Sequence, residues 1–217
     1  MVLRIVKNSM PTTLNELLWS VGQSMYVAAF SRIGTTAYAA YQAAASINSI
    51  FSFAAFSVGD AALILVGEKL GEGEREQTYI LGKKLLKIGT VLGILVGLLL
   101  VLAAKPLVGF FSLTALGKTY AFRILVIYGL CMGLNLYNGI NITGTLRGGG
   151  DTRFAMMAEC SCVWLVAVPL AFLASQVLHV PIFIAVLMIK SEEVVKCIIL
   201  TKRFISKKWV NNVITGL

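Results

Sequence analysis

A long uncharged stretch of this sequence covers residues 33–59 and reads IGTTAYAAYQAAASINSIFSFAAFSVG, 27 residues without an acidic or basic side chain. Two more such stretches, 88–104 and 124–146, contain 17 and 23 residues. A helix needs about 20 largely apolar residues to cross the roughly 30 Å of hydrocarbon in a bilayer. The three stretches therefore predict helices that span a membrane.

The composition of the whole chain indicates the same environment. Hydrophobic residues make up 58% and charged residues 13% of the 217 positions. A soluble domain carries about 25% charged residues. A soluble core of this size could not bury so much apolar surface, so we expect a lipid bilayer to be the main solvent. The fold class that follows is an all-α membrane protein.

We predict a single unit over residues 1–217, built as a bundle of six transmembrane helices. The breaks between them fall at clusters of glycine, proline and charged residues, which favour turns. The predicted helices cover residues 12–30, 37–67, 85–104, 121–146, 154–177 and 181–204.

Two of these helices carry residues that predict their packing. Gly89, Gly93 and Gly97 repeat every four residues in the third helix. Such a row of small residues predicts a face that another helix can approach closely. Pro169 predicts a kink in the fifth helix, because proline removes a backbone donor and crowds the preceding turn.

The distribution of Lys and Arg predicts the orientation in the membrane. Thirteen of these residues fall in the N-terminal segment, two alternate connections and the C-terminal tail, against four in the remaining connections. The thirteen are Arg4, Lys7, Lys69, Arg75, Lys83, Lys84, Lys87, Arg147, Arg153, Lys202, Arg203, Lys207 and Lys208. Because cytoplasmic loops are enriched in Lys and Arg, we predict a multi-pass protein of the cell membrane with both termini in the cytoplasm. The net charge of +9 is spread between apolar runs, which argues against nucleic acid as a partner.

Four motifs occur in order along the chain. They are Pro11-x4-Glu16-x2-Trp19, Val66-Gly-Glu-Lys-Leu-Gly-Glu-Gly-Glu, Gly144-Thr-Leu-Arg-Gly-Gly-Gly-Asp-Thr-Arg-Phe with Trp164-x4-Pro169, and the tail from Glu192-Glu-Val-Val-Lys to Trp209-Val. The ordered set covers essentially the whole chain. It resembles the multidrug and toxic compound extrusion (MATE) transporters of bacteria, and specifically the second of that family's two six-helix lobes.

The resemblance implies half of a secondary active antiporter that exports small organic cations or drugs in exchange for H⁺ or Na⁺. It implies no cofactor beyond that coupling ion. It also implies a partner, either an N-terminal MATE lobe or a second copy of this chain. Two alternatives remain open: a flippase of the same superfamily for lipid-linked oligosaccharides, and an incomplete lobe that does not transport without a separate N-terminal half.

Two carboxylates in the predicted spans are candidates for ion coupling. An aspartate at the centre of a transmembrane helix costs about 2.5–3.5 kcal/mol on insertion scales, so such residues usually have a purpose. Glu16 is a candidate proton or sodium site, or else a carboxylate at a helix end that water reaches. Asp60 is a candidate for a cavity-lining or coupling role, or else for a structural hydrogen bond to a neighbouring helix. The family uses a carboxylate on the helix that matches the first one here.

The fourth predicted helix carries Asn135, Asn138 and Asn141, spaced by three residues. Successive members differ by about 60° around the helix axis, which predicts one polar stripe. The three amides are candidates for binding a substrate or for hydrogen bonds that bridge helices.

Five further charged residues of the predicted spans are interpreted as structural. We expect Glu159, near the cytoplasmic end of the fifth helix, to pair with Arg153 or Arg147. The other four lie in the sixth helix, where Glu192 and Glu193 precede Lys196 by four and three positions, so that the charges can neutralise one another on one face. The four are Lys190, Glu192, Glu193 and Lys196.

We predict neither an enzyme nor a metal site. The sequence contains no HExxH, GxSxG or Walker motif. Cys160 and Cys162 lie on different faces of a helix, which makes them a poor unit for a metal or a disulfide.

Overall fold

The computed structural model describes the backbone of residues 2–210, and within that range all side chains except those of 2–9, 11–12 and 54–56. Arg4, Lys7 and Pro11, which entered the sequence analysis, therefore lie outside the described side chains. Every element within residues 2–210 is a helix. The predicted all-α fold class is confirmed.

Six helices follow one another along the described chain, joined by short turns. They are α1 (Val2–Ser31), α2 (Thr35–Gly71), α3 (Arg75–Gly109), α4 (Ala115–Arg147), α5 (Thr152–Val177) and α6 (Ile182–Ile205). Within residues 2–210, the four helices α2 to α5 are long and apolar enough to cross a membrane. The sequence predicts six spans, and four of the described helices satisfy this criterion. α1 and α6 do not satisfy it because they carry more polar and charged side chains.

α3 begins at Arg75, whereas the sequence predicts a start at residue 85. The first turns of the helix carry lysines whose side chains are exposed, and lysine is a good helix former. An apolar run marks the part of a helix that lies in lipid, so it underestimates a helix that continues beyond the membrane. The outward face of α3 fits this arrangement, because a regular row of large apolar side chains is exposed along it. The row consists of Ile88, Val91, Leu95, Leu98 and Leu102.

α3 and α4 pack against each other at backbone distance. Gly89, Gly93 and Gly97 are all buried on one face of α3. A Cβ atom added at Gly93 would lie 2.9 Å from the Cα atom of Gly133, and one added at Gly97 would overlap the carbonyl oxygen of Gly129. The face for close helix approach that the glycine repeat predicts is thus confirmed.

Gly97→Ala is expected to destabilise the chain by about 1–3 kcal/mol, because the added methyl group meets rigid backbone of α4. Thermal unfolding of the detergent-purified chain, followed by circular dichroism, measures the effect. Gly109→Ala is the matched control, since a Cβ atom at Gly109 would have no neighbouring atom of the described residues within 4 Å. Equal melting temperatures for the two variants would contradict this account of the interface.

Two helices depart from regular α geometry. The last part of α4, Ile140–Arg147, is a π-helix. In α5, two π turns at Val163–Ala167 and Leu173–Val177 lie on either side of Pro169. Such wide turns disturb the regular hydrogen-bond ladder and often occur at functional sites. The π-helix at Ile140–Arg147 ends α4, which carries several polar residues.

The C-terminal end of the described chain closes one end of the bundle. Trp209 is fully buried and stacks on Phe204, which stacks on Tyr79 of α3. Arg203 Nε donates to Asp151 Oδ2 at 2.6 Å, which ties α6 to the turn before α5. These contacts form a small second core, separate from the main core between the helices.

Candidate functional site

A cavity of about 570 Å³ is lined by residues of α1, α2, α4, α5 and α6. Eight of the lining side chains are charged: Glu16, Asp60, Arg147, Glu159, Lys190, Glu192, Glu193 and Lys196. Five are acidic and three are basic, so their formal charges sum to −2, whereas the whole chain carries +9. The cavity therefore favours a cationic group over an anionic one.

Glu193 is the centre of a buried cluster between α4 and α6. Asn135 Nδ2 donates to Glu193 Oε1 at 2.9 Å, and Asn138 Nδ2 donates to Glu193 Oε2 at 2.8 Å. The Nζ atoms of Lys196 and Lys190 lie 3.8 and 3.9 Å from Glu193 Oε1. Only 4% of Glu193 is exposed, and a carboxylate so far from water is tolerated because it has these partners.

The pairing predicted within α6 is present, and it extends further than the sequence indicated. Lys196 Nζ lies 3.7 Å from Glu192 Oε1 and 3.8 Å from Glu193 Oε1. Periodicity along one helix revealed these pairs. It could not reveal that the same charges line a cavity and contact the amides of another helix.

The three asparagines of α4 do not share one surface. Asn135 and Asn138 line the cavity, whereas Asn141 is not among its lining residues. The Oδ1 atom of Asn141 accepts from Thr145 Oγ1 at 2.7 Å, within the π-helical part of α4. Two steps of about 60° place Asn141 about 120° from Asn135, so the predicted stripe turns away from the cavity.

A second cluster joins α1, α4 and α5 around Arg147. Arg147 Nη2 lies 2.9 Å from Glu16 Oε1 and 3.6 Å from Glu159 Oε2. Asn15 Nδ2 donates to the same Glu159 oxygen at 2.6 Å. Of the two arginines predicted as partners of Glu159, Arg147 is the one that pairs with it. This cluster connects the first helix to the π-helix.

The two candidate coupling carboxylates differ in their surroundings. Glu16 is paired with Arg147, although 58% of the Glu16 side chain is exposed. Asp60 is exposed at the cavity and, within the described part of the chain, has neither a hydrogen bond nor an ion pair. Of the two, Asp60 is therefore the carboxylate whose charge is left for a ligand or an ion.

Several uncharged residues of the cavity are not among the predicted site residues. They are Trp19, Gln23, Tyr41, Asn48, Ser49, Ser52, Tyr128 and Thr143. Asn48, Ser49 and Ser52 stand together in the uncharged run 33–59, and their helical spacing was a signal for a polar face. The aromatic residues do not indicate a cavity, because aromatic side chains in a transmembrane helix can equally well face lipid.

Carboxylate and amide oxygens outnumber the basic side chains in the lining of the cavity. Among residues 2–210, no group of three or more His, Cys, Asp and Glu residues is arranged to hold a metal ion. Carboxylate and amide oxygens accept hydrogen bonds, so they suit a proton, a sodium ion or an organic ammonium group.

Comparison with known proteins gives the family. The family model described as MatE matches residues 11–173. A probable multidrug resistance protein NorM of Thermotoga maritima is 25% identical over 176 residues, which are 77% of this chain and 36% of that protein. A protein of the same description from Pasteurella multocida is 27% identical over 178 residues, 74% of this chain and 37% of that protein. The chain thus spans little more than a third of the length of these relatives.

Two solved structures share the fold. The first is a MOP superfamily transporter from Pyrococcus furiosus, for which a reversed polarity of the binding pocket is taken to suggest a different function. It superimposes with a TM-score of 0.82 at 17% identity, over 98% of this chain and 47% of that one. The second is an outward-facing multidrug resistance MATE family transporter, with a TM-score of 0.76 at 16% identity and the same coverage. Since the MatE model covers most of its 217 residues, this chain belongs to the MatE family.

Proposed function

We propose that this chain is one lobe of a secondary active antiporter that exports organic cations in exchange for H⁺ or Na⁺. The observation that carries the proposal is the cavity, whose lining has a formal charge of −2 in a chain of charge +9. Relatives that bear the name multidrug resistance protein support the same activity.

Asp60 is the residue to which we assign the coupling. A carboxylate that binds either the driving ion or a cationic substrate, but not both together, links the two movements, because each occupant favours a different state. Asp60 lies at the cavity without a protein partner in the described residues. Glu16 has a secondary role, because Arg147 already neutralises it.

The paired cations of the cavity argue against a flippase for anionic lipid-linked sugars. Arg147 lies between Glu16 and Glu159, and both Lys190 and Lys196 lie within 3.9 Å of Glu193. An anionic headgroup would have to separate one of these pairs. A cationic substrate meets the acidic excess directly.

The partner in our proposal is a second lobe, either an N-terminal MATE lobe or a second copy. The solved structures that share the fold are about twice as long, since this chain covers 47% of each. Asp60 is exposed on α2, and polar groups that face lipid hydrocarbon are costly. A second lobe that covers the cavity removes this cost.

Ethidium efflux tests the proposal in bacterial cells that lack their own multidrug exporters. Cells that produce the chain with its second lobe should retain less dye when a proton or a sodium gradient is imposed. The gradient that lowers dye retention identifies the coupling ion. Native mass spectrometry of the purified, transport-active protein should give the mass of an assembly of two lobes. Dye retention that does not change under either gradient would contradict the proposal, and transport by a monomeric chain would contradict the need for a second lobe.

The orientation is proposed from the Lys and Arg count and has its own test. Single cysteines at Glu72 and Ser206, in a chain whose native cysteines are replaced by alanine, should be shielded from an impermeant thiol reagent in intact cells. One at Leu116 should be labelled, because it lies at the opposite end of the helices. Labelling at Glu72 in intact cells would reverse the orientation.

A further inference from the structure

Three buried oxygens of the cavity have no hydrogen-bond partner among the described residues. They are Glu192 Oε2, Asn138 Oδ1 and Asn48 Oδ1. All three residues line the same cavity, and they belong to α6, α4 and α2. Buried acceptors in proteins are nearly always paired, so three orphans around one cavity indicate a ligand that supplies the donors.

The neighbouring carboxylates of α6 differ in how far the protein satisfies them. Glu193 accepts hydrogen bonds from two amides of α4 and lies near two lysines. Glu192 is almost as buried, at 7% exposure, and its nearest cation is Lys196, whose Nζ is 3.7 Å from Oε1. The Oε2 atom receives no donor from the side chains and backbone that the structure describes. Glu193 is therefore fully used within the fold, and Glu192 retains an acceptor for a ligand.

The amide of Asn138 is oriented by its contact with Glu193. Its Nδ2 atom donates to the carbonyl oxygen and to Oε2 of Glu193, both at 2.8 Å. The reverse orientation would place the amide oxygen against a carboxylate and lose both bonds. The Oδ1 atom is thus the free end of a side chain that is only 2% exposed.

We propose that Glu192 Oε2, Asn138 Oδ1 and Asn48 Oδ1 form a subsite for the N–H end of a protonated amine. The subsite deepens the proposed export of organic cations and rests on it. Acceptors alone require a ligand that donates, and a charge-assisted hydrogen bond to a carboxylate is stronger than a neutral one. A quaternary ammonium ion has the same charge without an N–H group, so it leaves these oxygens unpaired.

The rest of the cavity suits the remainder of such a ligand. Trp19, Tyr41 and Tyr128 belong to its lining and offer aromatic surface to a flat cationic ring system. The charges of Lys190 and Lys196 are balanced by the two carboxylates of α6. The other charged lining residues are three carboxylates and one arginine, so the lining as a whole is acidic. The net negative charge of the cavity therefore favours the binding of a cation.

A matched pair of dyes tests the subsite. Protonated acridine orange has one ring N–H group, and 10-methylacridine orange has the same ring system and charge without it. Binding to the purified protein in lipid nanodiscs is measured by fluorescence anisotropy, with protein-free nanodiscs as the blank. The wild type should bind acridine orange at least about tenfold more tightly than the methylated dye, which is the loss expected for one hydrogen bond to a charged group.

Two variants assign that preference to residues. Glu192→Gln and Asn48→Leu should each weaken the binding of acridine orange, Glu192→Gln by about tenfold, and reduce the difference between the dyes. Glu76→Gln is the control, because its carboxylate pairs with Lys207 on the surface, is 69% exposed and lies outside the cavity. It should bind both dyes as the wild type does.

The outcomes separate the subsite from the proposed function. If the wild type binds neither dye, both proposals are overturned. If it binds the two dyes equally, or if Glu192→Gln retains the wild-type preference, the subsite is overturned and cation transport stands. The comparison of dyes on the wild type needs no variant, so the subsite remains testable if a substituted chain does not fold.

Discussion

Asp60→Asn is expected to abolish gradient-driven export of ethidium and to leave the protein in the membrane. The carboxylate lies at the cavity and has no hydrogen bond or ion pair within the described residues, so its loss breaks no contact seen there. Asparagine keeps the size and polarity of the side chain and removes only the charge. Without that charge, the site no longer exchanges a driving ion for a cation. Dye retention under an imposed gradient, in cells that produce both lobes, measures the loss.

Two further variants locate the effect. Glu68→Gln is the matched control, because Glu68 is an exposed carboxylate of the same helix outside the cavity, and its export should equal that of the wild type. Glu16→Gln should weaken export without abolishing it, since Arg147 keeps Glu159 as a partner. Wild-type export by Asp60→Asn, with protein present in the membrane, would show that Asp60 is not the coupling residue.

The elements that could be predicted from the sequence are those that depend on one helix at a time. The apolar runs indicate lipid because they are long and uncharged, and the glycines of α3 indicate a close neighbour because they recur on one face. The neighbour, Gly129 and Gly133 of α4, has the same four-residue spacing, but spacing within one helix does not say which helix packs against it. Helix bounds were shorter than observed wherever charged residues continue a helix beyond the apolar run.

The candidate site is harder to predict because it is made between helices. Periodicity identified the charged pairs of α6, and the interpretation of them as structural followed from their mutual spacing. The structure adds that the amides of Asn135 and Asn138 contact Glu193. Glu192 differs, because its Oε2 atom has no hydrogen-bond partner among the described residues. Two adjacent glutamates with the same local pattern thus differ only through what the other helices bring to them.

Glu193→Ala is expected to have the largest effect on stability. The substitution removes the acceptor of two amide donors and the counter-charge of Lys190 and Lys196 in a buried cluster. Removing one partner of a buried ion pair costs about 3–5 kcal/mol, because the remaining charge is left uncompensated away from water. We expect a lower melting temperature and a smaller monodisperse fraction in size-exclusion chromatography of the detergent-purified protein.

A double-mutant cycle shows whether the cost arises from the charge. Glu193→Gln should destabilise the protein because it removes the carboxylate that pairs with Lys190, whereas Lys196 keeps Glu192. Adding Lys190→Gln should restore part of the stability by removing the lysine that has lost its partner. Glu76→Gln gives the baseline, because surface ion pairs contribute little. If the double variant is no more stable than Glu193→Gln, the loss comes from the two amide hydrogen bonds rather than from charge. If Glu193→Ala and Glu76→Gln have the same melting temperature, the cluster does not stabilise the fold. Its burial beside the cavity would then have to be explained by transport.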